Sequence, residues 1–521
     1  MKRLAIIGWL SVGCTRPAER KAPCAEGYRA TPSGCVPQEE EQDTGIVDDQ
    51  DTATPSPLWQ TLARSCEPPV DALDDPVVDL GELNTLMDGS GPGAFLMELV
   101  EVAVSDDGQR VLGVGQGGLM AFDVSDPDRP ALVGGYPSDG RGRYHRVHLF
   151  SDSDPGRSLA YLTHRERGLS VVSIDDLESI GLVNEVPVEG LGGMAQWEDF
   201  LYVSRHSGTV LIYDISDREQ PVEVGEVDGL GHPWTLVATE SALYVADATE
   251  GLVVLDRRDP IAPIVVEALD LGGVQDLSLG DAVIYAAAGS AGVVAVDISD
   301  PLHPVESKRV VFGTGAIGLD RDGDQLWVAD QEGVRILDVS SPLEPLASGS
   351  RQTAQWAMDV AALGGRAWVA DWGRLGGYSA DLEKKAPDLD ISLSEVFLDA
   401  SGDEVELVIR NLGQQTLQLH GALVEADALQ LDFSSDEVAA QGSAVVRIQW
   451  PGGALSDSLC LASNDPDQPQ VIVDLHTGGG GAVGAVGGPA PDFILPDLSG
   501  DSHRLSEHLG SPVVLVYFAT W

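Results

Sequence analysis

Positive charge is scarce in this chain. It has 31 basic residues against 83 acidic ones, a formal net charge of −52 over 521 residues. Phosphate recognition needs a net basic face, so this charge argues against nucleic acid as a partner. The same charge suits a soluble surface or secreted protein kept apart by self-repulsion, or one that handles cations. Long apolar runs are also missing. None approaches the roughly 20 residues of a membrane-spanning helix, so any membrane attachment must rest on something else. The five cysteines have no metal-site spacing, the ten histidines are scattered, and no nucleophile elbow surrounds a serine. Neither a zinc enzyme nor a serine hydrolase is predicted, and no cofactor. Asp320-Arg321-Asp322-Gly323-Asp324 begins like a calcium loop but lacks the distal Glu, and reads as a hairpin turn.

Turn residues and repetition are abundant. The chain has 60 Gly, 31 Pro and 43% apolar residues, the composition of a folded, mostly β protein. One phrase recurs: Gly251-Leu252-Val253-Val254-Leu255-Asp256 with Pro260 and Pro263, Gly292 to Asp297 with Pro301 and Pro304, and Gly333 to Asp338 with Pro342 and Pro345. Earlier copies run from Gly118 to Pro130 and Gly208 to Pro221, with a degenerate one at Gly168 to Asp176. The closing Asp falls at 123, 175, 214, 256, 297 and 338, a period near forty that signals radial or solenoidal β-architecture. Each unit reads as four strands, for example Leu236-Val237-Ala238, Leu243 to Asp247, the Gly-led phrase, and Ile264-Val265-Val266. Near-continuous apolar runs predict strands covered on both faces. Asp and Ser oxygens at the Asp-Pro corners are expected to cap backbone N–H groups where Pro ends pairing.

These phrases resemble the LVIVD repeat, which builds β-propellers in bacterial surface proteins. The resemblance implies a mostly β chain with a propeller of about seven blades over 68–383, an open solenoid being the alternative. A strand near Val77-Val78-Asp79-Leu80 is expected to complete the last blade, where Tyr378-Ser379-Ala380 serves as third strand. Short alternating strands follow over 386–476, with Asn411-Leu412-Gly413 and Ser463-Asn464-Asp465-Pro466 as turns, and predict a β-sandwich. That segment resembles immunoglobulin-like modules, usually spacers or docking surfaces. A Gly-rich linker spans 477–488. Residues 489–521, from Ala490-Pro491-Asp492-Phe493 to Val513 through Trp521, resemble the opening of a redoxin, a thioredoxin-fold α/β domain. In that family Cys-x-x-Cys follows at this point, and at a helix N-terminus its thiol pKa is lowered. The segment is expected to be incomplete and without a catalytic residue as it stands.

At the other end, Lys2 and Arg3 precede the apolar run Leu4 to Leu10 and then Ser11-Val12-Gly13-Cys14. This resembles a bacterial signal peptide with a lipobox over residues 1–14. The resemblance implies lipidation of Cys14, membrane attachment through that lipid, and residence in the cell envelope facing the periplasm or exterior; plain secretion and a cytosolic chain are the alternatives. Residues 15–67 then hold a small cysteine-bearing knob and an acidic, Pro-rich tether. Cys24 and Cys35 are expected to form a disulfide, since the segment between them is too small for a core. Cys66 and Cys460 either pair across domains or leave Cys460 as a buried strand residue.

In a four-stranded blade, the loop entering the first strand and the loop joining second to third open on the same face. The first class carries Arg141, Arg143, Tyr144, His145, Pro233, Trp234, Gln355 and Trp356. The second carries His164, Arg165, Arg167, Arg205, His206, Trp372 and Arg374. The ligand face expected from these is His145, His164, Arg165, Arg167, Arg205, His206, Trp234, Trp356, Trp372 and Arg374. Its partner would be a protein or an anionic ligand. The alternative is a set of solvated loop residues that bind nothing. Two functions stay open: a surface binding scaffold, or an extracytoplasmic thiol-disulfide oxidoreductase or peroxidase whose propeller is the recognition module.

Overall fold

The computed structural model describes residues 28–31, 34–37, 76–84, 494–496, 502–504 and 98–477, the last with short gaps at 128, 138–142, 151–157, 313, 394, 399–403, 425–428 and 451–455. Residues 60–477 form one compact unit, and residues 1–59 together with 478–521 form the other. In the second unit Tyr28–Thr31 pairs with Gly34–Pro37, and Ile494–Pro496 with Ser502–Arg504, both antiparallel. Cys14, Cys24 and the apolar stretch 513–521 lie outside the described residues.

In the large unit each repeat becomes a four-stranded antiparallel sheet with strands in chain order. Sheet one holds Glu101–Val104, Arg110–Gly115, Gly118–Asp123 and Ala131–Pro137. Sheet two holds Tyr144–Leu149, Leu159–His164, Gly168–Ser173 and Gly181–Val186. Sheet three holds Leu191–Trp197, Phe200–Arg205, Thr209–Asp214 and Val222–Asp228. Sheet four holds Pro233–Ala238, Ala242–Asp247, Gly251–Asp256 and Ile264–Leu269, and sheet five Asp276–Gly280, Val283–Ala287, Val293–Asp297 and Val305–Val310.

A seven-stranded sheet follows, built on one 18-residue strand, Leu346–Leu363. The first half of that strand pairs with Gln331–Asp338, beyond which lie Gln325–Ala329 and Gly318–Asp322. Its second half pairs with Arg366–Asp371, then Arg374–Ala380, and last with Val77–Asn84 from the start of the unit. One strand thus serves as the fourth strand of sheet six and the first of sheet seven. The first strand of each sheet touches that of the next, and the second half of Leu346–Leu363 touches Glu101–Val104. These sheets are consistent with propeller blades.

The repeated phrase explains this geometry residue by residue. Its Gly must turn sharply against a neighbouring carbonyl. Gly251 has φ +85° and Gly292 φ +78°, and a Cβ at either would lie 2.2 and 2.0 Å from the carbonyl oxygens of Leu269 and Val310. The apolar run that follows is buried along its whole length in Gly251–Asp256, as is Ala242–Asp247 beside it, because neighbouring sheets cover both faces. The closing Asp accepts the N–H two residues on: Ser125 to Asp123 (2.9 Å), Ser216 to Asp214 (2.9 Å), Ser299 to Asp297 (2.8 Å) and Ser340 to Asp338 (3.0 Å).

The corner after that Asp joins one sheet to its neighbour. Tyr161, Tyr202, Tyr244 and Tyr285, all on second strands, donate their hydroxyls to the backbone carbonyls of Arg218, Pro260, Pro301 and Pro342, each in the corner of the following sheet, at 2.7 to 3.0 Å. A buried phenol needs such an acceptor, and a carbonyl withdrawn from any ladder supplies it.

Residues 389–477 fold as a four-stranded sheet facing a five-stranded one, around Leu407, Ile409, Val446, Ile448, Leu459, Leu461, Val473 and Leu475. All pairings are antiparallel except Glu395–Leu398 with Gln470–Thr477. Both turns read from the sequence do more than turn the chain. Buried Asn411 accepts from the Asp388 and Gly413 N–H groups and donates to the carbonyls of Gln415 and Val438. Asp465 accepts from the Leu389 N–H at 2.5 Å.

These residues meet sheet six. Arg335, in the third position of its phrase where the other copies carry uncharged Val, Met or Ser, is buried and bonds Asp388 at 2.6 Å and Asp330 at 3.3 Å. Ser350 donates to Asp467 at 2.8 Å, Gln414 to Ser348 at 2.8 Å, and Leu412 joins the core of sheets five and six. Propeller-like and sandwich segments are therefore joined through a hydrogen-bonded seam. Cys460 is half-buried in Ser456–Ser463 and is disulfide-bonded, which corrects the reading of it as a buried strand thiol.

Removing one inter-sheet hydroxyl isolates the value of this contact. Tyr244→Phe and Tyr285→Phe are each expected to cost about 1 kcal/mol, since a carbonyl loses its donor. Tyr213→Phe is the control: its buried hydroxyl has no hydrogen-bond partner among the described residues, so this change is neutral or stabilising. Thermal unfolding of the three variants reads the difference.

Candidate functional site

Loops that enter first strands and loops that join second to third strands interlock on one rim. Gly190, with φ +82°, donates to the Arg165 carbonyl at 2.6 Å and accepts the His206 N–H at 2.9 Å. This puts Arg165 and Arg205 on one open groove of about 660 Å³, lined also by Glu166, Glu189, Gly190 and Ser207. Arg205 Nε donates to the Glu189 carbonyl at 2.9 Å. Neither arginine pairs with a carboxylate among the described residues, whereas Arg110, Arg143, Arg258, Arg309, Arg335, Arg410 and Arg447 all do.

Beside the groove lies an aromatic cluster. His206 stacks on His232 with ring centroids 4.9 Å apart and 17° between planes, and Trp234 meets His206 edge-on at 4.9 Å. His145 lies 6.0 Å from His206. Burial, then the charge of Arg165, pushes the His145 imidazole down to about 3 and His206 to about 4. Both rings are neutral at physiological pH, and neither ring nitrogen of His206 has a hydrogen-bond partner among the described residues. His232 was not among the residues singled out from the sequence. Its signal was its place in the loop before Trp234.

A second aromatic pair belongs to sheet seven. Trp356, 55% exposed, meets Trp372 at 6.0 Å, and the Arg143 guanidinium sits 5.4 Å from the Trp372 ring while pairing with Glu98.

Other expected members play different parts. His164 is fully buried: its Nδ1 accepts the N–H groups of Glu166 and Arg167 at 3.1 Å, and its ring meets Tyr144 edge-on. It shapes the turn that carries Arg165 and presents nothing to the rim. Arg167 is held by Glu185 at 2.8 and 2.7 Å, so its charge is already compensated. Arg374 is half-buried and opposite Asp371 across its hairpin. His164 is thus withdrawn from the rim, Arg167 is committed to Glu185, and Arg374 is half-buried. The cause is the same each time: sequence places a residue near a rim but does not say which way its side chain is held.

The inner strands carry a cluster that sequence reasoning missed. Arg146 lies 3.4 Å from Glu101 and 3.9 Å from Asp276. Asp359 accepts the Val102 N–H at 3.0 Å, Asp276 the Leu319 N–H at 3.0 Å, and Asp320 the Ala362 N–H at 2.8 Å. Each carboxylate thus reaches the inner strand of another sheet. Burial, opposed by Arg146, raises Glu101 and Asp276, while burial pushes Asp320 up to about 7 and, with the Asp276 charge, Asp359 up to about 8. The signal was available: a charged residue recurs in the first strands, at Glu101, Arg146, Asp276, Asp320 and Asp359.

The model of the LVIVD repeat matches residues 112–137, 194–229, 231–270, 271–311 and 322–353. The chain carries LVIVD repeats that form a β-rich, propeller-like domain. Sheet two, with the degenerate phrase, and sheet seven lie outside these matches. Two curated proteins, both described as thiol-disulfide oxidoreductase ResA, are similar over 37 residues: one from Geobacillus kaustophilus (strain HTA426) at 54% identity, the other from Geobacillus thermodenitrificans (strain NG80-2) at 51%. Each match covers 7% of this chain, and the chain spans about a fifth (21%) of the length of either relative. Among solved structures, a chain of one titled "Crystal Structure of Mitotic Checkpoint Complex" is similar with a TM-score of 0.47 and 11% identity, over 60% of this chain and 98% of that one.

The two buried sets predict opposite pH responses. The raised carboxylates bind protons more tightly folded than unfolded, so their stabilisation is complete below the unfolded value of 3.8 and is lost as pH rises through 7 and 8. The lowered histidines contribute stability above 6.5 that is lost as pH falls through 4 and 3. The melting temperature is therefore expected to fall between pH 6.5 and 8, where the loss from the raised carboxylates is no longer offset by the gain from the lowered histidines. Asp359→Asn flattens that limb, and His206→Phe reduces the loss on the acid side, both read by melting curves across pH.

Proposed function

We propose that this protein is an extracytoplasmic surface lipoprotein in which a seven-bladed propeller and an immunoglobulin-like sandwich form a binding scaffold. Its basic and aromatic rim takes an anionic ligand or an acidic partner protein. The observation that carries the reading is the groove of Arg165 and Arg205, two cations without carboxylate partners among the described residues, in a chain of net charge −52. Glu166 and Glu189 line the same groove without pairing to either guanidinium among the described residues, so both cations stay available to a ligand. Neutral His206 and Trp234 beside the groove offer flat apolar surface to the non-charged part of a ligand. Binding of polyglutamate to the full chain, followed by calorimetry at low salt, is expected to weaken about tenfold or more in Arg165→Glu/Arg205→Glu, and also as salt rises. Unchanged binding removes the reading.

Membrane attachment is a separate element of the proposal, supported by the Lys2-Arg3, apolar run and Cys14 order. Cys14→Ser is expected to move the protein, expressed in a bacterial host, from the detergent phase to the aqueous phase in a detergent partition. Equal partition of both forms would remove the lipid.

A second reading has its own observation, the 37-residue similarity to thiol-disulfide oxidoreductases. In it the propeller is the recognition module of an extracytoplasmic thiol-disulfide oxidoreductase or peroxiredoxin-like enzyme. Nucleotide sequence following the Trp521 codon separates the two: Cys-x-x-Cys encoded in frame supports the second.

A further inference from the structure

The outer strands of the sheets are edges, and an edge strand invites another strand unless something prevents it. Three of these edges are guarded, those of sheets two, five and six. In sheet two, Asn184 bonds the Glu219 carbonyl and Glu185 holds Arg167. In sheet five, Lys308 pairs with Glu344 and Arg309 with Glu306. The outer strand of sheet six is covered by the sandwich through Ser348 and Ser350.

Sheet four differs. Its outer strand opens with three consecutive exposed apolar residues, Ile264 (63%), Val265 (47%) and Val266 (39%). No lysine or internal proline interrupts Ile264–Leu269. The patch extends sideways: Gly225 of sheet three lies so close to the Ile261 carbonyl that a Cβ would sit 2.2 Å from it, and Val222, Val224 and Ile261 are all exposed. A run of exposed apolar residues on a free edge is costly unless it is used.

We propose that the free edge of Ile264–Leu269 is a docking strand for a partner protein, which adds an extended segment of alternating basic and apolar residues as a fifth strand of sheet four. Backbone pairing supplies the attachment, and the apolar side chains of Ile264, Val265 and Val266 supply the contact surface. Charge decides the kind of partner. Glu223 and Glu226 lie on the neighbouring outer strand, Glu267 on the strand itself, Asp259 in the corner before it and Asp270 directly after it. Nearby Arg258 is already bonded to Asp256, and His303 faces Glu267 at 3.1 Å. A second copy of this chain would bring another −52 against the same edge, so a basic segment is the complementary occupant.

The test uses the full chain and a fluorescent peptide, Lys-Val-Lys-Val-Lys-Val-Lys, followed by anisotropy at low salt. Two comparison peptides replace every Val by Pro or every Lys by Glu. The basic alternating peptide is expected to bind and the other two to fail. Val265→Lys, which guards the edge as in sheet five, should weaken binding about tenfold or more. Ile264→Thr/Val266→Thr should weaken it without adding charge, which keeps the test valid if Val265→Lys lowers the melting temperature. Arg165→Glu/Arg205→Glu should leave it unchanged, separating this edge from the rim groove. Unchanged binding in Val265→Lys and the double variant overturns the proposal, as does equal binding of the Pro peptide, which would be charge attraction alone. Sedimentation showing that the wild type self-associates and Val265→Lys does not would assign the edge to a second copy and also overturn it.

Discussion

A phenolic hydroxyl crossing from one sheet to the next is the contact on which this architecture depends. Each sheet is only four strands wide and buries its middle strands against both neighbours. Its position therefore has to be fixed at the rim as well as in the core. Tyr161, Tyr202, Tyr244 and Tyr285 do this by reaching the corner carbonyls of the following sheets. The donor must be Tyr because it carries a rigid apolar ring through the core and a polar tip to its edge. The acceptor is free because the corner has left the strand ladder, three of the four acceptors being proline carbonyls. The inner-strand carboxylates repeat the principle on the opposite side of each strand order, linking Glu101, Asp276, Asp320 and Asp359 to backbone N–H groups of other sheets.

With one rim committed to these corners, the other is left to vary. There Arg165 and Arg205 share an open groove with Glu166 and Glu189 without an ion pair among the described residues, and His206 is held neutral between His232 and Trp234. Sheet six shows the same division in another place. Its phrase departs from the repeat at Arg335, and that departure receives Asp388 and joins the sandwich. Residues that break the repeat are thus where the scaffold does something particular, whether joining a second fold or offering a charged surface.

How much of this was legible from sequence depended on whether a feature was local. The Gly of each phrase is demanded by a positive φ and a carbonyl 2.0 to 2.2 Å from any Cβ at Gly251 and Gly292, so its recurrence reported a backbone requirement. The Asp two residues before a capped N–H was equally readable. The candidate site was legible only as a neighbourhood. His164, Arg165 and Arg167 occupy one turn and look alike in sequence. One is buried under the turn, one faces the groove, and one is held by Glu185 across the sheet. His232 and the inner-strand acids were overlooked because their meaning comes from partners tens to hundreds of residues away.

The sequence by itself determined the period, the strand order within each unit, the corner chemistry and the strong negative charge. These follow from backbone sterics, short-range hydrogen bonds and composition, all of which act within a few residues. Only the tertiary structure decided which cations are left uncompensated, which outer strand is exposed, and that Leu346–Leu363 serves two sheets. Those outcomes depend on which distant side chains are brought within about 4 Å of one another, and no local preference encodes that distance.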